Sequence, residues 1–213
     1  MRDVVDVLLQ CNDISEIIVV DDGSDLESRR VVEGLPAQVH RHYHVQNKGK
    51  AAAMLTGLLA CQGDFVAFVD ADLRNLKPEH VSALCRPVLR GFADMSLGRR
   101  QYEAGCAKLM APAYTGERCF KRSRLLGSVT CFDVQRYGIE AALNKEFFRH
   151  GNVVVVPLRG VAQTSKRIKA GIFMGAWRSC KMLMQMACTV GCMELVYQVA
   201  KAARLPVVGA EDN

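Results

Sequence analysis

The 213-residue sequence lacks the patterns that mark several common protein classes. Its nine cysteines include no Cys-x-x-Cys pair, so the usual spacing of a zinc site is missing. No stretch reaches the roughly 18 to 20 uncharged apolar residues of a membrane-spanning helix, and no repeat or low-complexity tract is present. The sequence therefore gives no support for a zinc module, a spanning helix or a repeat array.

Signals for secretion and for nucleic-acid binding are also weak. The first ten residues, MRDVVDVLLQ, mix charges with apolar residues and lack the apolar run of a signal peptide. Most cysteines lie in apolar runs, which is typical of small buried side chains in a reducing compartment. The net charge of +6 fits a solvated basic face, or attraction to an anionic ligand or membrane surface. We expect a cytoplasmic location, with peripheral contact at the inner membrane face as an alternative, and no nucleic-acid partner.

Half of the residues are hydrophobic, which is enough for one globular domain with a core. Strand-like runs (EIIVV, QVHRHYHV, FVAFV) alternate with helix-like runs (RDVVDVLLQC, KGKAAAMLTGLLACQ, LKPEHVSALCRPVLRG). A helical pattern, QRYGIEAALNKEFFRHG, and an extended run, NVVVVPLRG, follow. This order predicts an α/β domain over residues 1–165, in which helices flank a mostly parallel sheet. Residues 166–213 are predicted to form a C-terminal helical extension.

Carboxylates follow two of the predicted strands. Asp21 and Asp22 come directly after EIIVV, and Asp70 and Asp72 come directly after FVAFV. Because ligands of parallel sheets gather at the carboxyl ends of the strands, we expect these side chains to share one site. Paired carboxylates suit a hard divalent cation that bridges a diphosphate. The same aspartates could instead cap helices or lie in ordinary loops.

Three segments, IIVVDDGSD, NKGKAAAMLTGL and GDFVAFVDADL, resemble family-two glycosyltransferases of the GT-A fold. Their order and spacing are more specific than any one of them alone. The later segments YTGERCFKRSRL, RYGIEAAL and VVVVPLRGV resemble bacterial members that act on sugar phosphates or polyprenyl phosphates. The resemblance covers roughly residues 4–170 and implies a GT-A-like, Rossmann-like sheet.

The resemblance also implies where the donor binds. It assigns five residues to the nucleotide: Asp21, Asp22, Lys48, Lys50 and Asp70. It makes Asp70 and Asp72 the DxD pair, which would hold Mg²⁺ or Mn²⁺ on the donor diphosphate. An ordinary helix entry remains the alternative for the two lysines.

The resemblance places Glu140, after RYG, as the catalytic base that takes a proton from the acceptor hydroxyl. Glu117 is the rival candidate. Glu117, Arg118 and Arg122 would bind a phosphate-bearing acceptor, although a solvated basic loop explains the two arginines equally well. In some relatives a histidine after the PLRGV strand binds the metal, and Gln163 holds that place here.

We therefore expect a metal-assisted enzyme that moves a sugar from a nucleotide-sugar donor to a hydroxyl or phosphate-bearing acceptor. The acceptor could be a sugar phosphate or a lipid-linked molecule. The alternative is a catalytically inactive nucleotide-binding relative or a truncated fragment. A nucleotidyltransferase is a third hypothesis, but its glycine-rich nucleotide loop is not found. The C-terminal helix is expected to pack on the domain, on a second subunit or on a membrane surface.

One expected strand is missing from the sequence. Family members open with a strand of the VVIPAYNE kind, which lies between the strands that match EIIVV and FVAFV. Both of those strands look buried on two faces, so each needs neighbours for its backbone groups. We expect the chain to be N-terminally truncated or degenerate, poorly soluble alone and weakly active or inactive.

Overall fold

The computed structural model describes residues 1–100, 113–133, 138–163, 184 and 187–209. Its helices are α1 Arg2–Leu8, α2 Leu26–Glu33, α3 Lys50–Ala60, α4 Pro78–Leu89, α5 Arg122–Leu126, α6 Ile139–His150 and α7 Cys192–Ala202. Its strands are β1 Ile17–Asp21, β2 Val39–Tyr43, β3 Phe65–Phe68, β4 Leu73–Arg74, β5 Met95–Arg100, β6 Arg118–Lys121, β7 Val153–Leu158 and β8 Ala162–Gln163. The α/β fold class is confirmed.

Every element that the residue patterns predicted before residue 164 is present. Helices α1, α3, α4 and α6 and strands β1, β2, β3 and β7 fall on the predicted runs. Helix α7 lies in the predicted C-terminal helical extension. Residues 166–183 of that extension, and Arg136 and Tyr137 of the RYG segment, lie outside the described residues.

Local chemistry explains where several helices begin and end. The Asp25 side chain accepts a hydrogen bond from the backbone N–H of Ser28, which caps α2, and Gly34 follows its last turn. Helix α4 begins with Pro78, whose fixed φ suits a first helical position. Helix α3 follows Gly49, whose φ of 96° lies in the left-handed region that favours glycine.

The strands form a mixed sheet system. The strands β1 and β2 pair in parallel, while a four-stranded sheet has the order β3-β6-β5-β7. In that sheet β5 and β7 are parallel, and β6 runs antiparallel between β3 and β5. A short antiparallel pair joins β4 to β8. No ladder joins β1 to β3 within the described part of the chain.

Helices cover both faces of the four-stranded sheet. On one face α3 and α6 contribute Leu58 and Phe147 to a core that includes Phe120. The rings of Phe120 and Phe147 meet edge to face, with centroids 5.0 Å apart. On the other face α1 and α4 pack through residues such as Val4 and Leu84. The sheet is therefore the middle layer of three, as the strand–helix alternation predicted.

Burial of the strands departs from the sequence expectation. Strands β5 and β7 are almost entirely buried. The central residues of β1 and most of β3 are only half-buried. The prediction that EIIVV and FVAFV are buried on two faces is therefore wrong. Among the described residues, each of these strands has a ladder partner on one edge only.

The guanidinium of Arg118 is part of the core. Its side chain is 1% exposed and donates to the backbone carbonyls of Thr115 and Ala113, each at 2.9 Å. It also donates to the Asn144 side-chain oxygen at 2.8 Å, which ties β6 to α6. A buried charge is tolerated when its donors find such partners. Arg118 therefore holds the segment before β6 against α6.

We predict that Arg118→Met lowers the free energy of unfolding by roughly 3 kcal/mol or more, because the Thr115 carbonyl and the Asn144 side-chain oxygen lose the Arg118 donor, while the Ala113 carbonyl keeps only the donor from Asn144 among the described residues. Urea unfolding measures the change. Lys121→Met, at the exposed end of the same strand, is the matched control and should stay within about 0.5 kcal/mol of the wild type. Equal effects of the two substitutions would contradict this role for Arg118.

Candidate active site

The carboxyl ends of β1 and β3 meet at the start of α3. The Asp22 carboxylate, after β1, accepts hydrogen bonds from the backbone N–H groups of Lys48 and Gly49 at 2.9 and 2.7 Å. The Asp70 carboxylate, after β3, accepts from the ammonium of Lys50 at 2.9 Å. One three-residue turn therefore contacts carboxylates from both strands. The structure thus brings Asp22 and Asp70, two of the four predicted carboxylates, to the same turn.

A buried histidine supports Asp22. The ring of His44 lies between Asp22 and Thr56, with Nδ1 2.7 Å from the Asp22 carboxylate and Nε2 2.9 Å from the Thr56 hydroxyl. Burial alone would raise the pKa of Asp22, but hydrogen bonds from His44, Lys48 and Gly49 outweigh it and lower the pKa. The His44 ring is itself buried, at 8% exposure.

Asp21 presents an oxygen with no protein partner. Its side chain is buried, and Oδ1 accepts from the backbone N–H of Ser24 at 3.0 Å. The other oxygen, Oδ2, is buried without a hydrogen-bond partner among the described residues. Gly23 follows with a φ of 66°, and a Cβ there would lie 2.5 Å from the backbone nitrogen of Asn47. This close turn leaves Asp21 able to accept a further donor.

Lys50 joins the strand-end carboxylates to α6. Its ammonium lies 2.9 Å from Asp70 Oδ1 and 2.8 Å from Glu140 Oε1. Burial disfavours the charged ammonium, but the two carboxylates outweigh burial and raise the pKa of Lys50. Glu140 is 7% exposed, and its Oε2 has no hydrogen-bond partner in the described structure. The predicted base thus lies in the same cluster as Asp70.

A second buried ion pair lies behind Asp70. The Arg100 guanidinium is 3.3 Å from Glu117 Oε2 and 4.0 Å from Asp70 Oδ2. The Thr115 hydroxyl donates to Glu117 at 2.5 Å. Burial raises the pKa of Glu117, with Arg100 opposing that rise. A Cβ at Gly116 would lie 2.4 Å from the Asp70 carboxylate, so only glycine lets that carboxylate pack here.

Sequence reasoning missed Arg100, although its segment carried a signal. The run MSLGRR is a strand that ends in two arginines, and the second of them reaches the carboxylate cluster. The residues that follow, 101–112, lie outside the described part of the chain.

Asp72 lies apart from the Lys50 cluster and meets Gln163. The Gln163 side-chain nitrogen is 3.0 Å from each oxygen of the Asp72 carboxylate. The β4–β8 pair causes this contact, because Leu73 is opposite Gln163 in the ladder. Within the described ranges no group of three or more His, Cys, Asp or Glu side chains is placed to hold a metal ion.

Two of the predicted acceptor-binding residues do not fit that role. Arg118 is buried in the core, and its donors go to protein acceptors. Arg122 lies at the end of β3 opposite the candidate site. Because β6 runs antiparallel to β3, the residue after β6 lies beside the start of β3. There the backbone N–H of Arg122 donates to the backbone carbonyl of Asp64 at 2.7 Å. The third, Glu117, lies beside the site but is 1% exposed.

Residues 2–151 match the sequence profile of glycosyl transferase family 2. The chain belongs to that family. This family-two chain is 49% identical over 59 residues to a pre-mycofactocin glycosyltransferase of Mycobacterium tuberculosis, covering 27% of this chain and 12% of that protein. It is 36% identical over 81 residues to an undecaprenyl-phosphate 4-deoxy-4-formamido-L-arabinose transferase of Pseudomonas fluorescens, covering 36% of this chain and 24% of that protein. These matches therefore span a quarter or less of each relative.

Solved structures confirm the fold of this family-two chain. Glucosyl-3-phosphoglycerate synthase from Mycobacterium tuberculosis, in complex with phosphoglyceric acid, superposes with a TM-score of 0.67 at 24% identity, covering 89% of this chain and 75% of that chain. The same enzyme in complex with Mn²⁺, uridine diphosphate and glucosyl-3-phosphoglycerate gives a TM-score of 0.66 at 23% identity, with the same coverage. Among the described residues, no helix has the length and apolar character needed to cross a bilayer.

We predict that Lys50→Met lowers the free energy of unfolding by about 1 to 3 kcal/mol at neutral pH. Without the ammonium, the carboxylates of Asp70 and Glu140 lose the cation that they share and each loses a hydrogen-bond donor. Urea unfolding measures the change.

Lys48→Met is the matched control for that measurement. Lys48 is exposed, and its backbone N–H contacts the Asp22 carboxylate. Its free energy of unfolding should stay within about 0.5 kcal/mol of the wild type. Equal stabilities of the two variants would contradict a stabilising role for the Lys50 ion pairs.

Proposed function

We propose that this chain is the catalytic domain of a glycosyltransferase that moves a sugar from a nucleotide-sugar donor to a hydroxyl or phosphate-bearing acceptor. The observation that carries the proposal is the Lys50 cluster, which joins a strand-end carboxylate to Glu140. Family membership and the names of the relatives support the same chemistry.

The nucleotide would lie along the ends of β1 and β3. Asp21 has a buried oxygen that can accept from a base or a ribose hydroxyl. Asp22 fixes the turn at Lys48 and Gly49, so its role is to shape the pocket rather than to meet the ligand directly. The ammonium groups of Lys48 and Lys50 would then lie near the donor diphosphate, where they would offset its charge.

Asp72 and Gln163 fit a divalent metal better than Asp70 does. Asp72 is half-exposed and faces a neutral amide, so a cation can reach its carboxylate. Asp70 already has Lys50 at 2.9 Å and Arg100 at 4.0 Å, and both repel a cation. Oxygen ligands suit Mg²⁺ and Mn²⁺ alike. When bound, the metal would neutralise charge on the departing diphosphate.

Glu140 is the stronger candidate for the base. Its Oε2, which has no hydrogen-bond partner among the described residues, could accept a proton, while Oε1 is held by Lys50. Glu117 is 1% exposed, against 7% for Glu140, and its Oε2 is held by Arg100 and Thr115, so an acceptor has less access to it. We assign Glu117 the role of positioning Arg100 behind Asp70.

The acceptor is proposed from the relatives, whose names include a phosphoglycerate and an undecaprenyl phosphate. Helix α7 bears an exposed apolar stripe formed by Met193, Val196 and Tyr197. If the acceptor is lipid-linked, it lies in a membrane, and this stripe would contact the inner face of that cytoplasmic membrane. A second copy of the chain is the other proposed partner, and vesicle co-sedimentation against light scattering separates the two.

Asp72→Asn is expected to remove metal-dependent nucleotide binding. The substitution replaces one of the two carboxylate oxygens by an amide nitrogen, which does not suit a hard cation, and removes the negative charge of the site. Titration calorimetry with uridine diphosphate, with and without Mn²⁺, measures the loss. Asp64→Asn, the same change at the opposite end of β3, is the control and should bind normally. Unchanged metal dependence in Asp72→Asn would remove Asp72 from the metal site.

Glu140→Gln should lower turnover by about 100-fold or more while donor binding survives, because the amide cannot accept the proton. Product formation from a nucleotide-sugar panel reports turnover, and calorimetry reports binding. Glu146→Gln on the same helix is the control. Near-normal turnover in Glu140→Gln would show that Glu140 is not the catalytic base.

The wild-type chain tests the alternative function in the same assays. If it bound the donor without turning it over, the result would favour an inactive nucleotide-binding relative.

A further inference from the structure

A buried glutamine ties the helix α7 to the core. Gln198 is completely buried, although the outer face of α7 is exposed. Its side-chain nitrogen donates to the Ala141 carbonyl at 3.0 Å and to the Glu194 carboxylate at 3.1 Å. Its side-chain oxygen lies 3.4 Å from the Tyr114 hydroxyl and 3.4 Å from the Asn144 side-chain nitrogen. Both donors and both lone pairs of this amide therefore have a protein contact.

Asn144 continues these contacts toward the candidate site. It is completely buried on α6, one helical turn after the proposed base Glu140. Its side-chain nitrogen donates to the Ala113 carbonyl at 2.6 Å, and its oxygen accepts from the Arg118 guanidinium at 2.8 Å. The side chains of Asn144 and Gln198 thus form an amide pair that contacts the residues just before β6.

The segment 113–117, which precedes β6, packs against the Asp70 carboxylate. Gly116 approaches Asp70 so closely that a Cβ at this position would lie 2.4 Å from the carboxylate. Glu117 binds Arg100 at 3.3 Å, and the same guanidinium lies 4.0 Å from Asp70. A shift of this segment would therefore disturb both the packing and the charge around Asp70.

The amide pair holds the other end of that segment. Residues 113–117 belong to no helix or strand, so contacts from neighbouring elements position them. Asn144 binds the Ala113 backbone, and Gln198 contacts the Tyr114 side chain. Burial raises the pKa of the Tyr114 hydroxyl to about 12, so this hydroxyl is a neutral donor at physiological pH. A buried polar network whose members are all satisfied favours one arrangement of those members.

We propose that the amide pair positions the segment 113–117, and through it the Asp70 carboxylate, so that a residue of α7 supports the donor side of the site. In the described structure neither Asn144 nor Gln198 contacts a proposed reacting group, so both are positioning residues. The link to donor binding rests on the proposed function, whereas the position of the segment can be measured without it.

Gln198→Met is the test variant, because methionine is unbranched like glutamine but carries no amide. Tyr114→Phe is a second variant, which removes one hydroxyl from the same contact and keeps the ring. Arg149→Met is the matched control. It removes the ion pair with Glu194 that joins α6 to α7, and it leaves the amide pair in place.

Hydrogen exchange measures the position of the segment in each chain. The Gly98 N–H donates to the Glu117 carbonyl at 2.8 Å, so the exchange of this amide reports whether residue 117 is held in place. Amides of β7 lie in the buried sheet and report global unfolding. The ratio of the two rates separates a local effect from a general loss of stability. Calorimetry with uridine diphosphate and Mn²⁺ reports the donor side.

We expect Gln198→Met to speed exchange at Gly98 by about fivefold or more relative to β7, and to weaken nucleotide binding by about fivefold. Tyr114→Phe should act in the same direction with a smaller effect, because Asn144 keeps its bond to Ala113. Arg149→Met should keep the wild-type ratio and affinity. A role in stability alone would change all amides equally and leave the affinity unchanged.

The proposal would be overturned if both test variants kept the wild-type exchange ratio, or if Arg149→Met changed the ratio as much as Gln198→Met does. Faster exchange at Gly98 with unchanged nucleotide affinity would overturn the link to the donor side. If the wild-type chain bound no uridine diphosphate, the proposed function would fail instead, and the exchange ratio would still decide whether the amide pair positions the segment.

Discussion

The candidate site depends on one cation, the ammonium of Lys50. It is the only described group that contacts both the strand-end carboxylate Asp70 and the helix carboxylate Glu140. Two carboxylates so close together would repel each other without it. The ion pairs therefore fix the distance between β3 and α6, which is also the distance between the proposed donor side and the proposed base. A single lysine at the first position of α3 thus sets the geometry of both halves of the proposed site.

The position of Lys50 depends in turn on the glycine before it. Gly49 has a φ of 96°, and its N–H donates to Asp22 at 2.7 Å. This turn orients the start of α3 so that the Lys50 ammonium reaches the carboxylate after β3, while the backbone N–H groups of the turn reach the carboxylate after β1. One nitrogen of the His44 ring contacts the Asp22 carboxylate, and the other contacts the Thr56 hydroxyl, which fixes the ring in place. The result is a chain of contacts from α3 through β1 and β2, in which each polar group is held by a neighbour rather than by water.

The sequence predicted the elements and the edge where the site lies, but it could not predict the depth of each side chain. Periodicity identifies α3 and β3, and the carboxylates after β1 and β3 identify the edge. Periodicity does not distinguish an arginine in a basic loop from an arginine buried in the core. Arg118 is buried in the core, where it donates to Asn144 and to two backbone carbonyls. Arg122 was predicted to lie in the acceptor site, but the sheet topology places it elsewhere. Because β6 runs antiparallel to β3, Arg122 lies at the end of β3 opposite the site. The local sequence pattern of a strand does not reveal its direction in the sheet.

The mixed sheet divides the described part of the molecule into two halves. The strands β3, β6, β5 and β7 form a continuous ladder with helices on both faces, and this half buries most of the core. Within the described residues, β1 and β2 are held beside this half by the packing of α1 and α3 and not by a strand ladder. The candidate site lies across this boundary, since Asp22 belongs to one half and Asp70 to the other. A movement between the halves would change the distance between Asp22 and Asp70, and with it the width of the proposed nucleotide pocket. The packing at this boundary would therefore govern the proposed donor binding more directly than the Lys50–Glu140 contact at the proposed base.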